Sequence, residues 1–251
     1  MKILAIESSG QVASAAILED NKILAEYTTN FKITHSQTLM PMVSEICKMT
    51  ETDLETIDAI AVSGGPGSFT GLRIGSAAAK GLALALDKPI IHVPTLDAMA
   101  YNLWGSSDLI VPIMDARRAQ VYTGIYYFAG EDLKTVLSAS AMPIEELIEL
   151  INAKITSTEV QNKTLETTAF PEFKRVIFLG DGVSTFKEVV KEKAKFEVAF
   201  APANLSEQRA SSVAALAAVY YKEGRLTDAD DEAPEYLRPS QAERERAEHG
   251  E

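Results

Sequence analysis

The 251-residue sequence holds one cysteine, Cys47, so no disulfide forms within the chain and a cross-linked secreted scaffold is excluded. Histidine is almost as scarce. His35, His92 and His249 are the full set, and no two of them have metal-ligand spacing, so no zinc or iron site is expected. Cations are in short supply: 24 Lys and Arg against 36 Asp and Glu leave a net charge of −12. Phosphate binding needs clustered cations, so a chain this acidic is a poor stand-alone ligand for nucleic acid or an anionic membrane. No run approaches the roughly 20 apolar residues of a membrane span. The opening MKILAIE is too short an apolar stretch for a secretion signal, and a cytoplasmic protein is expected. Gly-x-Ser-x-Gly is missing as well, which weakens any hydrolase reading.

What is present is ordinary globular material, 46% apolar and 24% charged, and long enough to bury a core without cross-links. Apolar runs predict strands at 2–7, 12–18 and 23–28, the last two joined by a polar turn. A helix is predicted at 36–49 with Ser36 as its cap, then a strand at 58–63. A glycine-rich turn leads into a helix at 69–86, a strand at 90–93 and a helix at 95–104. The pattern then restarts. Strands are predicted at 109–114, 120–128 and 133–139, and a helix at 143–151 with Pro143 in its first turn. A polar, irregular stretch at 156–172 precedes a strand at 175–179 and a helix at 184–193. An Ala-rich helix at 207–223 comes last. Strand–strand–strand–helix–strand thus occurs twice, with an acid ending each first strand, Glu7 and Asp115. The chain reads as a duplicated α/β unit. Its first lobe is 1–104, its second 105–226 with a last helix able to pack back on the first, and its charged tail 227–251, mobile past 240.

Gly64-Gly65-Pro66-Gly67-Ser68-Phe69-Thr70-Gly71 lies between a strand and a helix, where free N–H groups can cradle an anion. It is neither a P-loop nor a dinucleotide fingerprint, and a sharp turn needing glycine is the alternative reading. The helix after it carries only Arg73 and Lys80 as charges between Leu72 and Leu86. A helix apolar on nearly every face is buried or meets a partner on its second face. The helix at 36–49 repeats the theme with Leu39, Met40, Met42, Val43, Ile46, Cys47 and Met49. Cys47 itself reads as a small buried hydrophobe. Glu7-Ser8-Ser9, Asp115-Ala116-Arg117 and Gly180-Asp181-Gly182 could form three sides of a nucleotide cleft, or simply cap turns at strand ends.

A duplicated unit with an acid ending each first strand resembles the actin-like ATPase superfamily, with its RNase H-like ASKHA fold of two lobes. Within it, ILAIESS, His35-Ser36-Gln37, GGPGSFTGLRIG with its AxAKGLA continuation, and Asp115-Ala116-Arg117-Arg118 are similar to the bacterial TsaB (YeaZ) family. Pro234-Glu235-Tyr236-Leu237-Arg238 is similar too. The resemblance spans the whole chain. It implies a non-catalytic subunit for N6-threonylcarbamoyladenosine formation in tRNA, at the adenosine next to the anticodon. The partners implied are the transferase paralogue TsaD, the small ATPase TsaE, and a second copy of the chain when alone, with tRNA met only through the complex. TsaD carries a His-x-x-x-His metal pair where this sequence has Thr95 and Met99, neither of which replaces imidazole. The nucleotide cleft of Glu7, Ser8, Ser9, Asp115, Gly180 and Gly182 is expected to be degenerate. No cofactor of its own is implied, and ATP is left a place only at the interface of the complex. The interface is expected on the first-lobe helices, at His35, Leu39, Met42, Val43 and Ile46, and at Arg73, Ile74, Ala77, Ala78, Gly81 and Leu84. Rival readings are a sugar or acyl kinase of the actin-like class, which needs an intact cleft, and a peptidase acting on TsaD.

Overall fold

The computed structural model describes residues 1–31, 34–156, 172–229, 233, 236 and 237. Residues 157–171 of the irregular stretch expected at 156–172, and most of the tail, therefore lie outside the described residues. The chain opens with β1 (Lys2–Glu7), β2 (Ala13–Glu19) and β3 (Lys22–Thr29), then α1 (His35–Met49) and β4 (Ala59–Ser63). It continues through α2 (Phe69–Leu86), β5 (Ile90–Val93) and α3 (Thr95–Tyr101). The first sheet has the order β3-β2-β1-β4-β5, with β1 antiparallel to β2 and parallel to β4.

The second half supplies β6 (Leu109–Asp115), β7 (Gln120–Ala129), β8 (Asp132–Pro143), α4 (Ile144–Thr156), β9 (Arg175–Leu179), α5 (Gly182–Lys193) and β10 (Glu197–Phe200). Its sheet, read from the other edge, is β8-β7-β6-β9-β10, with β6 antiparallel to β7 and parallel to β9. The two sheets repeat one topology, so the structure carries the duplication legible in the sequence. A four-residue helix α6 (Ala203–Ser206) and α7 (Ala210–Lys222) follow.

The central strands read as unbroken apolar runs because both of their faces are covered. Ile3 and Ala5 of β1, with Ala59 and Ala61 of β4, pack under α7; Leu4, Ile6, Ile60 and Val62 pack under α1 and α2. Alanines on the α7 side let that helix lie close. Ala210, Ala214, Ala217 and Ala218 meet Ala5, Ala16, Ala59 and Ala61 in one cluster. The last long helix therefore serves the first sheet. Glu26 of β3 anchors its start, taking Arg209 at 2.6 Å and the Ser211 N–H at 2.9 Å, while Ser14 Oγ accepts the Ala210 N–H at 3.2 Å. Burial pushes the Glu26 carboxyl up, but the Arg209 and Ser211 hydrogen bonds outweigh it and hold the pKa below its usual value. α3 lies between the lobes. Its Ala98 joins the α7 cluster, while Leu96, Met99 and Ala100 join Ile110, Met114, Tyr126 and Leu179 of the second lobe.

Two local expectations are corrected. α1 starts one residue earlier than predicted, its N-cap position is Thr34, and no side chain caps it, so Ser36 is not the cap. Pro143 is the last residue of β8, paired with Gln120, rather than a first-turn residue of α4; the strand outruns the predicted 133–139 because β7 offers it a partner along its whole length. The edge strand β10 and the short α6 have no counterpart in the sequence reading. Both are four residues long, too short to show a period. Among the described residues, no helix is long and apolar enough to cross a membrane.

Candidate docking face and interlobe cleft

The turn after β1 and the glycine-rich loop after β4 are built into one another. Ser8 Oγ donates to the Gly71 carbonyl at 2.8 Å, and the Ser68 N–H donates to the Ser9 carbonyl at 2.6 Å. A Cβ on Gly67 would collide with the Ser9 carbonyl oxygen, one on Gly71 with the Ser8 carbonyl oxygen, and one on Gly75 with Ser8 Oγ. The glycines thus let α2 start flush against the chain's own backbone. Besides Ser68, two further N–H groups there are in use: Gly71 donates to Ser68 Oγ at 3.3 Å and Leu72 to the Ser68 carbonyl at 2.8 Å. The close approach that needs glycine is present in the geometry.

Glu7, Ser8 and Ser9 do come together. Glu7 is 1% exposed, and its Oε1 accepts both the Ser9 N–H and the Ser9 hydroxyl at 2.6 Å. Burial pushes its pKa up, against the pull of the Ser9 hydrogen bonds. On the second lobe, Asp115, Gly180 and Gly182 are also neighbours. The Asp115 N–H donates to Asp181 Oδ1 at 3.2 Å, and a Cβ on Gly180 would collide with the Ile113 carbonyl oxygen and crowd the Met99 methyl. Burial raises the Asp181 pKa, and the charge of Asp115 adds to it; burial and Asp181 raise Glu207 likewise. No hydrogen bond among the described residues joins the Glu7 set to the Asp115 set. The link is the 207–208 pair, which sequence reasoning missed. Gln208 is 1% exposed and lies over Gly10, while Glu207 senses Asp181. Nothing in the spacing of a Glu-Gln pair ahead of an Ala-rich helix announces that position.

Where the resemblance sets the transferase's metal pair, Thr95 is wholly buried and Met99 is packed in the core between the lobes. Among the described residues, no three His, Cys, Asp or Glu side chains are placed to hold a metal ion. His35 is engaged elsewhere, with Nε2 3.0 Å from the Gly10 carbonyl oxygen.

The expected interface divides in two. Leu39, Met42, Val43 and Ile46 of α1 are buried against β1, β2 and β4 in the lobe's own core, so they offer no surface. Their spacing of three and four residues is the inward stripe of a surface helix. What α1 presents instead is Met40, Pro41, Ser44 and Glu45. On α2 the expected residues lie along the outer side of the helix. Arg73, Ala77, Gly81 and Leu84 are exposed, Leu84 by 55%, with Ile74 and Ala78 half-buried beside them. The space around Gly81 is open to 4 Å. A groove of about 550 Å³ runs along α1 and the turn after it, lined by Met40, Val43, Cys47 and Leu54, with Leu82 the residue from α2.

Comparison with known proteins places this architecture. Residues 22–246 match the family model described as TsaD, tRNA N6-adenosine threonylcarbamoyltransferase. The chain is 32% identical over 243 residues to the tRNA threonylcarbamoyladenosine biosynthesis protein TsaB of Bacillus subtilis, covering 97% of this chain and 96% of the relative. The chain belongs to the TsaB (YeaZ) family. Escherichia coli TsaB is 37% identical over 145 residues, 55% of this chain and 62% of that protein. A Pseudomonas aeruginosa crystal structure, described as an uncharacterized protein with similarity to peptidase YEAZ, superposes with a TM-score of 0.73 at 25% identity. It covers 94% of this chain and 99% of that one.

Proposed function

We propose that this chain is a cytoplasmic, non-catalytic subunit for forming N6-threonylcarbamoyladenosine in tRNA, at the adenosine next to the anticodon. It docks a TsaD-type transferase paralogue through the exposed face of α2, holds it in its active form, and helps recruit a TsaE-type ATPase. It meets tRNA only within that complex. One observation carries the reading: α2 has a core face and, opposite it, an exposed stripe of Ala77, Gly81 and Leu84, with Ile74 and Ala78 half-buried along its edge. A helix that is apolar on its second face is made to be covered. Small residues at four-residue spacing let another helix approach closely. A partner built on the same fold brings a matching helix, and the match of this chain to the TsaD family model supports such a pairing about a pseudo-two-fold axis. The same face pairs two copies when the chain is alone.

The cleft supports the non-catalytic part. Glu7 is committed to Ser9, and Asp115, Asp181 and Glu207 crowd negative charge where a nucleotide would bring phosphates. The chain is expected to hold no ATP by itself; ATP belongs at the interface of the assembled complex.

The test is Ala77→Glu, which charges the exposed stripe. Ala78 is a poorer choice because it also packs on the lobe's core. An unpaired carboxylate buried in an interface costs several kcal/mol, roughly 3–5, so co-elution with the paralogue should be lost while the isolated variant keeps its circular dichroism and thermal midpoint. Undiminished co-elution would place the interface elsewhere.

A further inference from the structure

The segment between α6 and α7 does more than join two helices. Strands β1 and β4 run parallel, as do β6 and β9. In open α/β sheets a ligand binds in the crevice outside the carboxyl ends of such strands. The turns that follow β1 and β9 carry Gly10 and Gly180, one from each lobe. Both glycines meet the chain's own residues 206–208. The buried Gly180 N–H donates to Ser206 Oγ at 3.3 Å. A Cβ on Gly10 would collide with the Gln208 carboxamide, 2.6 Å from its Nε2. Between these two contacts, Glu207 lies close enough to feel the charge of Asp181.

Gln208 does not hold this segment by its polar atoms. Its carboxamide is buried, and neither nitrogen nor oxygen has a hydrogen-bond partner among the described residues. The hold comes from Asn102, directly after α3. Its Nδ2 donates to the Leu205 carbonyl at 3.0 Å and to the Glu207 carbonyl at 2.9 Å. Ser212 of α7 donates to Asn102 Oδ1 and fixes which way the carboxamide points. One side chain thus grips the backbone on both sides of Ser206, with both of its donors used. A polar network satisfied in this way fixes a single arrangement. We propose that residues 205–208 are a plug seated in the interlobe crevice, and that Asn102 is the clasp that keeps it there. The plug takes the Gly180 N–H and the space over Gly10, so the chain itself fills the place where a ligand at the strand ends would lie. Asn102 is a positioning residue that acts through this segment. The inference rests on the reading above that the chain holds no ATP by itself, and it gives that reading a cause besides negative charge.

The test is hydrogen exchange at the Gly180 amide, followed by NMR on the full chain with and without an excess of ADP and magnesium. In the wild type the amide should exchange slowly, and ADP should change nothing. Ser206→Ala removes the acceptor and sets the rate of an unseated plug. Asn102→Asp keeps the oxygen that Ser212 needs but turns a carboxylate oxygen on the two carbonyls. It should quicken exchange at Gly180 roughly tenfold or more, toward the Ser206→Ala rate, while the amides of β6 and β9 stay as in the wild type. Gly10→Ala pushes on the plug from the other lobe and should quicken Gly180 as well. Adding Gln208→Ala to it removes the collision and should restore slow exchange. Unchanged exchange at Gly180 in Asn102→Asp and Gly10→Ala would overturn the plug and leave the reading of a chain without ATP intact. Quickening spread evenly over the whole chain in Asn102→Asp would make Asn102 an ordinary fold residue and overturn the clasp. Saturable ADP binding by the wild type, seen at Gly180, would overturn that reading and the plug with it.

Discussion

Replacing Gly81 with alanine has opposite consequences for the isolated chain and for the docked one. Gly81 sits inside α2, on its exposed face, and no atom lies within 4 Å of where a Cβ would go. In such a place glycine costs a helix about 0.5–1 kcal/mol relative to alanine, through the entropy of the unfolded chain. Gly81→Ala should therefore stabilise the isolated protein by that amount. With a urea slope of about 2 kcal/mol/M, the unfolding midpoint rises by roughly 0.25–0.5 M. Docking should respond the other way. A methyl forced into a close helix pair costs about 1–3 kcal/mol, which weakens binding roughly 5- to 150-fold. The assay is a urea titration of the variant alone beside a titration with the paralogue. A lower urea midpoint would contradict the open surroundings of Gly81. An unchanged dissociation constant would refute a helix-on-helix contact there.

Gly71→Ala should behave as a fold mutant, losing about 2 kcal/mol or more in the same urea assay, because its Cβ meets a backbone oxygen that cannot swing away. Glu26→Gln breaks the anchor of α7 to Arg209 and Ser211 and should cost about 1–3 kcal/mol at neutral pH. The Glu26 pKa is held below its usual value, so its stabilisation is present above pH 4.5 and fades as pH falls through the folded value, and the variant and wild type should converge in acid. Glu207→Gln has the opposite sign. Burial and Asp181 raise the Glu207 pKa, so its stability contribution is full below 4.5 and is lost as pH rises through the folded value; the variant should gain thermal stability at neutral pH and none in acid.

The repeat was legible because both halves write the same strand order in apolar runs, and because the buried central strands, such as LAIE and AIAVS, leave no other reading. The exposed apolar stripe of α2 was legible for a related reason: a helix with two charges in fifteen residues must leave apolar residues on its outer side. The α1 face was misread because composition does not say which side of a helix is inward. Leu39, Met42, Val43 and Ile46 form one stripe, and the sheet claims it. The glycine-rich loop stayed ambiguous because an anion and a backbone carbonyl ask the same of glycine, closeness without a side chain. Only the position of Ser8 and Ser9 decides. Contacts between distant segments, such as Gln208 over Gly10 or Tyr236 on Phe69, leave no local period to read.

The central claim is that the chain is needed for a reaction it does not itself perform. A reconstitution with the matching TsaD-type and TsaE-type proteins, threonylcarbamoyl-adenylate, ATP and tRNA, assayed for modified adenosine with and without this chain, addresses it. The account predicts product only when the chain is present with its partners, and none from the chain alone. Equal product without the chain, or turnover by the chain in isolation, would contradict it.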